Sequence, residues 1–252
     1  MEAAAGAPRK RISVGEVINE TFSLYGQNVV ALLGSAIVVF VIVGVVAGLL
    51  QAAGGVVLGL IAAIIRLAGQ ALYTGFVVKL VQDTRDGRRD QSVGDLFSAA
   101  APAILSLIVF GILFGIAVGI GFLLLIVPGL ILLTIWSVGA PAIVAEGAGP
   151  IEAFGRSREL VRGEGWSVFG TLVVVLLIVI AIGVILGIIA TPISGGATVV
   201  ASIISSAITA PIFALAVSVM FFDLGGGRGA AEPAAPAAPA PPTEPAPPTA
   251  PP

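Results

Sequence analysis

Residues 28–79 read NVVALLGSAIVVFVIVGVVAGLLQAAGGVVLGLIAAIIRLAGQALYTGFVVK, and this stretch decides the fold. It holds two apolar runs, 28–50 and 54–79, joined by a short connection, Gln51 to Gly54, that carries no charge. Each run exceeds the roughly 20 residues an α-helix needs to cross the hydrocarbon of a bilayer. A backbone in lipid must satisfy its own hydrogen bonds, so these runs read as helices, and the brief connection makes them a hairpin. The pattern recurs at 101–126 and 129–145 around Val127 and Pro128, and again at 167–190 and 196–222 around 191–195. The expectation is an all-α integral membrane protein with six transmembrane helices arranged as three hairpins.

The charges agree with that division. All 14 acidic residues fall in the polar segments 1–27, 80–100, 146–166 and 223–252, and of the 12 Lys and Arg only Arg66 lies well inside a span. Arg9, Lys10, Arg11, Lys79, Arg85, Arg88, Arg89, Arg156, Arg158, Arg162 and Arg228 then share one side. Cations near span ends mark the cytoplasmic face, so both termini are expected to be cytoplasmic. A mean hydropathy of +1.12 with 10% charged residues excludes an ordinary soluble surface. Arg9 to Arg11 ahead of an apolar run suggest a secretory signal, yet 28–50 is longer than the roughly 7–15 residues of a signal core, and no cleavage is expected.

Each hairpin follows a polar segment that itself reads as a short amphipathic helix on the cytoplasmic side. Ser13-Val14-Gly15-Glu16 and Ser92-Val93-Gly94-Asp95 repeat one helix start, a capping Ser with an acid three positions on. The third start is Gly149-Pro150-Ile151-Glu152, with proline at the favoured first position. In the first helix Val14, Val17, Ile18, Phe22 and Tyr25 are expected to face inward; in the third, Ile151, Phe154 and Val161. Arg156, Glu159 and Arg162 are expected on the outer face of the third, with Arg158 nearby and Trp166 at headgroup depth. Such helices steer hairpins from the headgroup plane, and Arg156, Arg158, Arg162 and Trp166 are also the candidate interface for lipid headgroups or for a membrane or cytoplasmic protein partner.

The run ISVGEVINETFSL at 12–24, the Val127-Pro128-Gly129 turn and above all PAIVAEGAGPIEAFGRSRELVRGEGWSVFG at 141–170 resemble a bacterial membrane-domain family found attached to some glycerophosphoryl diester phosphodiesterases. The resemblance covers about 12–224 and implies architecture, a stand-alone six-helix member without the catalytic domain. The phosphodiesterase barrel depends on histidine and metal-binding carboxylates. This chain has no His, so no catalytic residue carries over.

Other chemistry is equally thin. Asp83-Thr84-Arg85-Asp86-Gly87 opens like the signature of CDP-alcohol phosphotransferases, but Ala100, Ile104 and Ile108 stand where its metal-binding carboxylates should follow, so it reads as a polar turn. The spans hold no acidic pair, and no base lies near a serine. Without cysteine there is no disulfide or thiolate chemistry, and without histidine the commonest general base and metal ligand are missing. The expectation is a non-catalytic protein with no metal, no cofactor and no nucleic-acid partner, organising membrane lipids or partners.

Arg66 is the exception to the charge pattern. It sits near the middle of the second span, where a cation costs about 2.5–3.5 kcal/mol or more, and Gln70, Tyr73 and Thr74 extend a polar stripe from it toward the cytoplasm. Two readings stand: a structural arginine satisfied by carbonyls and headgroups, or an intramembrane anion or lipid-phosphate site serving a small transporter or lipid-handling protein. Gly44 and Gly48, Gly55 and Gly59, Gly111, Gly115 and Gly119, and Gly183 and Gly187 have the spacing of close helix contacts, within the bundle or in a homo-oligomer. In the last span Thr198, Ser202, Ser205, Ser206 and Thr209 recur at helical spacing, and Pro141 and Pro211 are expected to kink their spans. The domain reading is a flexible basic N-terminus at 1–11, a membrane domain at 12–224 and a disordered Pro/Ala-rich tail at 225–252.

Overall fold

A computed structural model of the chain describes residues 12–87, 91–190 and 197–227. The N-terminus at 1–11, Arg88, Arg89, the connection 191–195, Arg228 and the tail from 228 onward lie outside the described residues. Among the described residues every regular element is helical: α1 Val14–Gln27, α2 Val29–Ala52, α3 Val56–Arg85, α4 Val93–Ala100, a 3-10 turn Ala101–Ala103, α5 Ile104–Leu124, α6 Ile126–Trp136, α7 Gly139–Glu146, α8 Glu152–Val161, α9 Gly165–Ala190 and α10 Ala197–Asp223.

Six helical stretches are long and apolar enough to span a membrane: Val29–Ala52, Val56–Arg85, Val93–Leu124, Ile126–Glu146, Gly165–Ile188 and Ile203–Asp223. The chain is an all-α membrane protein. The closest pairings are α2 with α3, α5 with α6 and α9 with α10, and α10 also packs on α1, α2 and α3. That central position shows in burial: 56% of the α10 window is buried against 17% of the α2 and α9 windows, whose apolar faces look outward. The core gathers toward the charged end of the bundle, where Val17, Leu32, Phe76, Val77, Leu215, Met220 and Phe221 are all buried. The opposite ends of α2, α3 and α9 carry long rows of exposed Val, Ile and Leu, as a lipid-facing surface requires.

Prolines place the helix breaks. A proline offers no N–H to the carbonyl four residues back and its ring crowds that carbonyl. Four residues before Pro128 stands Leu124, the last residue of α5; Leu125 is extended and α6 begins at Ile126. The expected Val127–Pro128 turn is thus the first turn of α6, and the joint is Leu125. Gly121 and Gly129 face each other across it: a Cβ on Gly121 would come within 3.0 Å of the Gly129 Cα. Four residues before Pro141 stands Ser137, and there the fourth crossing breaks into α6 and α7. The kink expected at Pro141 is a full break upstream of it. α7 leaves the edge of the bundle and runs inward among α3, α5, α8 and α10, with Pro141, Ala142, Ile143, Val144 and Ala145 buried. Pro211, by contrast, stays inside an unbroken α10.

The three amphipathic helices are built differently. Ser92 and Asp95 form a reciprocal capping box, and α4 then runs through the 3-10 turn into α5. Ser13 makes no side-chain cap bond. Gly149 donates its N–H to Glu152, and Pro150 precedes α8 rather than opening it. In α1 the buried residues are Val17, Thr21 and Leu24, while Phe22 is 42% exposed, so the stripe is rotated from the expected one. In α8 Ala153, Ser157, Leu160 and Val161 are buried and Ile151 is 75% exposed. The reason lies in α8's surroundings: it packs on α6 and α7, where a buried serine is useful.

Of the glycines expected at close helix contacts, Gly44 meets a neighbouring helix, through the Ile203 side chain at 3.5 Å, and the tighter approaches sit at other glycines. A Cβ would meet nothing within 4 Å at Gly48, Gly55, Gly59, Gly111, Gly115, Gly119, Gly183 or Gly187, whereas Gly69 abuts Val43, Gly75 abuts Ala100 and Gly139 lies under the Phe110 ring. In the last span Ser205 is half-buried, Ser206 is exposed, and the Thr209 hydroxyl donates to the Ser205 carbonyl in its own helix. The side chains of Thr198 and Ser202 lie outside the described residues. After α10, the Gly225 and Gly226 N–H groups donate to the Phe222 and Phe221 carbonyls and so close the helix end.

Candidate functional site

Arg66, Gln70, Tyr73 and Thr74 do not converge. The Cα–Cβ bonds of a helix tilt toward its N-terminus, and Arg66 reaches back along α3 to the uncharged end, where its Nη2 donates to Gln51 Oε1 at 3.0 Å. Both side chains are exposed, which is the geometry of a snorkelled cation. Tyr73 lies about 100° round the helix from Thr74, is fully buried, and donates its hydroxyl to the Leu32 carbonyl at 3.1 Å with its ring against Phe40. Gln70 and Thr74 line an internal cavity of about 300 Å³ between α3, α5, α6, α7, α9 and α10. The stripe therefore divides among three environments.

The charged end contains two clamps that no local pattern announces. Arg85, in the last turn of α3, donates to Glu20 of α1 at 2.6 Å and to Asp223 of α10 at 2.8 Å, and its guanidinium lies 5.6 Å from the Phe222 ring centre. These partners are 65 and 138 residues away in sequence, beyond the reach of any spacing rule. The second clamp is Glu146, at the end of α7, which accepts two bonds from Arg156 of α8 at 2.7 and 2.8 Å and a third from the Gly227 N–H at 2.9 Å. Glu159 adds a longer contact to Arg156 at 3.7 Å. The hydrogen bonds to Glu146 raise the Arg156 pKa above its already high ordinary value. The Glu146–Arg156 pair consequently ties α7 to α8 and, through Gly227, to the segment just beyond α10.

Arg158, Arg162 and Trp166 are different. All three are exposed, Trp166 by 87%, and neither guanidinium group has an ion-pair or hydrogen-bond partner among the described residues. Trp166 lines an apolar groove of about 550 Å³ between α6 and α9, together with Leu130, Ile131, Thr134, Ile135 and Phe169. Gly163, with φ of +94°, forms its charged-end rim next to Arg162. Sequence reading identified the three side chains; the groove could not be found that way, because its other wall is the lipid-facing side of α6.

The Asp83-to-Gly87 stretch closes α3 and turns, with Gly87 at φ of +72°. Among the described residues no group of three or more Asp, Glu, His or Cys side chains is placed to hold a metal ion. Comparison with family models, with curated proteins and with solved structures returns no match to this chain.

Proposed function

We propose that this is a non-catalytic, multi-pass protein of a bacterial inner membrane, with both termini in the cytoplasm, that organises lipids at its charged face. The resemblance of 141–170 to the membrane domains of glycerophosphoryl diester phosphodiesterases belongs to the same reading. The observation that carries the proposal is the occurrence of Arg158 and Arg162, whose guanidinium groups have no partner among the described residues, in the stretch of chain that leads into an apolar groove and an exposed Trp166. An anionic phospholipid matches each part. Its phosphate takes charge-assisted hydrogen bonds from guanidinium groups, its headgroup region accepts the indole, and an acyl chain lies along α6 and α9. Arg156 is not assigned this role, since Glu146 holds its guanidinium.

The chain has two tryptophans, so a Trp136→Phe background leaves Trp166 as the single reporter. In that background, reconstituted with lipids brominated on the acyl chain, Trp166 should be quenched more strongly by phosphatidylglycerol than by phosphatidylcholine. Arg158→Gln with Arg162→Gln should abolish the difference. Equal quenching by both lipids in the unsubstituted cation pair overturns the reading. The alternative of a small transporter with an anion site at Arg66 loses support, since that guanidinium is engaged by Gln51 at the uncharged end.

A further inference from the structure

The internal cavity joins three features that arise separately. First, its walls carry no charge: the lining comes from apolar residues of six helices with Gln70, Thr74, Trp136, Ser137 and Ser218 as the polar members. The nearest cation along α3, Arg66, leaves in the direction of Gln51. Second, part of its hydrogen-bonding capacity is unspent. The Ser137 and Ser218 hydroxyls donate to carbonyls of their own helices. The Gln70 amide, the Thr74 hydroxyl and the Trp136 indole have no hydrogen bond to any described residue. Pro141 also denies the Ser137 carbonyl its usual backbone donor. Third, Leu67, Gln70 and Phe213 at the rim are exposed, on the middle turns of α3 and α10. That places the opening sideways, toward the hydrocarbon.

A broken helix is tolerated at membrane depth where it is buried in protein or lines a cavity, and here the break between α6 and α7 does line one. We propose that this cavity binds a neutral, lipid-soluble molecule carrying a hydroxyl or carbonyl group, admitted laterally from the bilayer. A charged ligand would have no counter-ion in these walls and would bear the cost of an unpaired intramembrane charge. A pure hydrocarbon would leave the Gln70 amide and the Trp136 N–H without partners, which costs more than filling the space returns. The volume, about 300 Å³, admits a ligand of roughly ten heavy atoms at ~30 Å³ each. This site is separate from the arginine pair and its groove, and does not depend on the reading given to them.

The test is photolabelling of the full chain in lipid nanodiscs with a medium-chain alcohol bearing a diazirine. Label is expected on the peptides spanning 67–74, 107–114, 133–141 and 213–218. Unlabelled octanol should compete and octane should not. Gln70→Leu should weaken competition by about two- to tenfold, the effect of one neutral hydrogen bond. Gly111→Phe should remove the label by filling the space, since a side chain at 111 starts in open volume; thermal unfolding of the variant shows whether it is folded, and Gln70→Leu carries the test if it is not. Arg158→Gln with Arg162→Gln should leave this labelling unchanged. Label that is spread over the outward faces of α2 and α9, or that octane displaces as well as octanol does, overturns the proposal.

Discussion

Ser157 of α8 donates a hydrogen bond of 2.8 Å to the main-chain carbonyl of Ile135 in α6. The break between α6 and α7 frees carbonyls that lipid cannot satisfy. Ser137 takes care of Thr134 within the same stretch, and Ser157 takes care of Ile135 from another helix. The amphipathic helix α8 is thereby a fitted part of the fourth crossing. Phe154 completes the seat, with its ring 4.6 Å from that of Phe110 and 4.9 Å from that of Trp136.

Replacing Ser157 by Ala should destabilise the protein by about 1–3 kcal/mol, because a buried acceptor is left without a donor. Unfolding in mixed detergent micelles measures it. Stability equal to that of the unsubstituted protein would show that another group reaches the Ile135 carbonyl.

The Glu146–Arg156 pair should behave as a coupled unit. Glu146 is 13% exposed and accepts a bidentate contact plus the Gly227 N–H, while Arg156 is partly open to solvent. The coupling expected from a double-mutant cycle with Glu146→Gln and Arg156→Gln is about 1 kcal/mol, above the median for exposed pairs but discounted for screening. Glu146→Gln should also speed amide exchange at Gly227. Additive effects with unchanged exchange would remove the clamp from the account.

Arg66→Leu should be tolerated, with a stability change within about 1 kcal/mol, because its one described contact is an exposed hydrogen bond to Gln51. Detergent-resistant folding and thermal midpoint read this out. Loss of the folded protein would return Arg66 to a buried structural role.

Two glycines on facing elements should give opposite results. Gly139→Ala pushes a methyl into the Phe110 ring and should cost about 1–3 kcal/mol. Gly115→Ala meets nothing within 4 Å in the monomer and should leave its thermal stability unchanged or slightly raised. A marked loss at 115, accompanied by a change in oligomeric mass, would show that this face is covered by a second copy.

The number of crossings and their pairing were legible in the residues alone. Runs such as 28–50 and 54–79 exceed the bilayer's span and are separated by uncharged connections, and those two constraints act locally on the chain. The break positions were legible in part: Pro128 and Pro141 announce them, but three to four residues upstream of where a proline-centred turn would put them. The inward face of each helix was a matter for tertiary structure. In a soluble helix the apolar stripe marks the core; in lipid both faces are apolar, so Gly111 and Gly75 look alike in sequence, and only the packing of α4 against α3 makes Gly75 the close contact. The same holds for polar groups. Arg66, Gln70, Tyr73 and Thr74 share a stripe by spacing, and it is the positions of Gln51, Leu32 and the break after Trp136 that send them to three different environments.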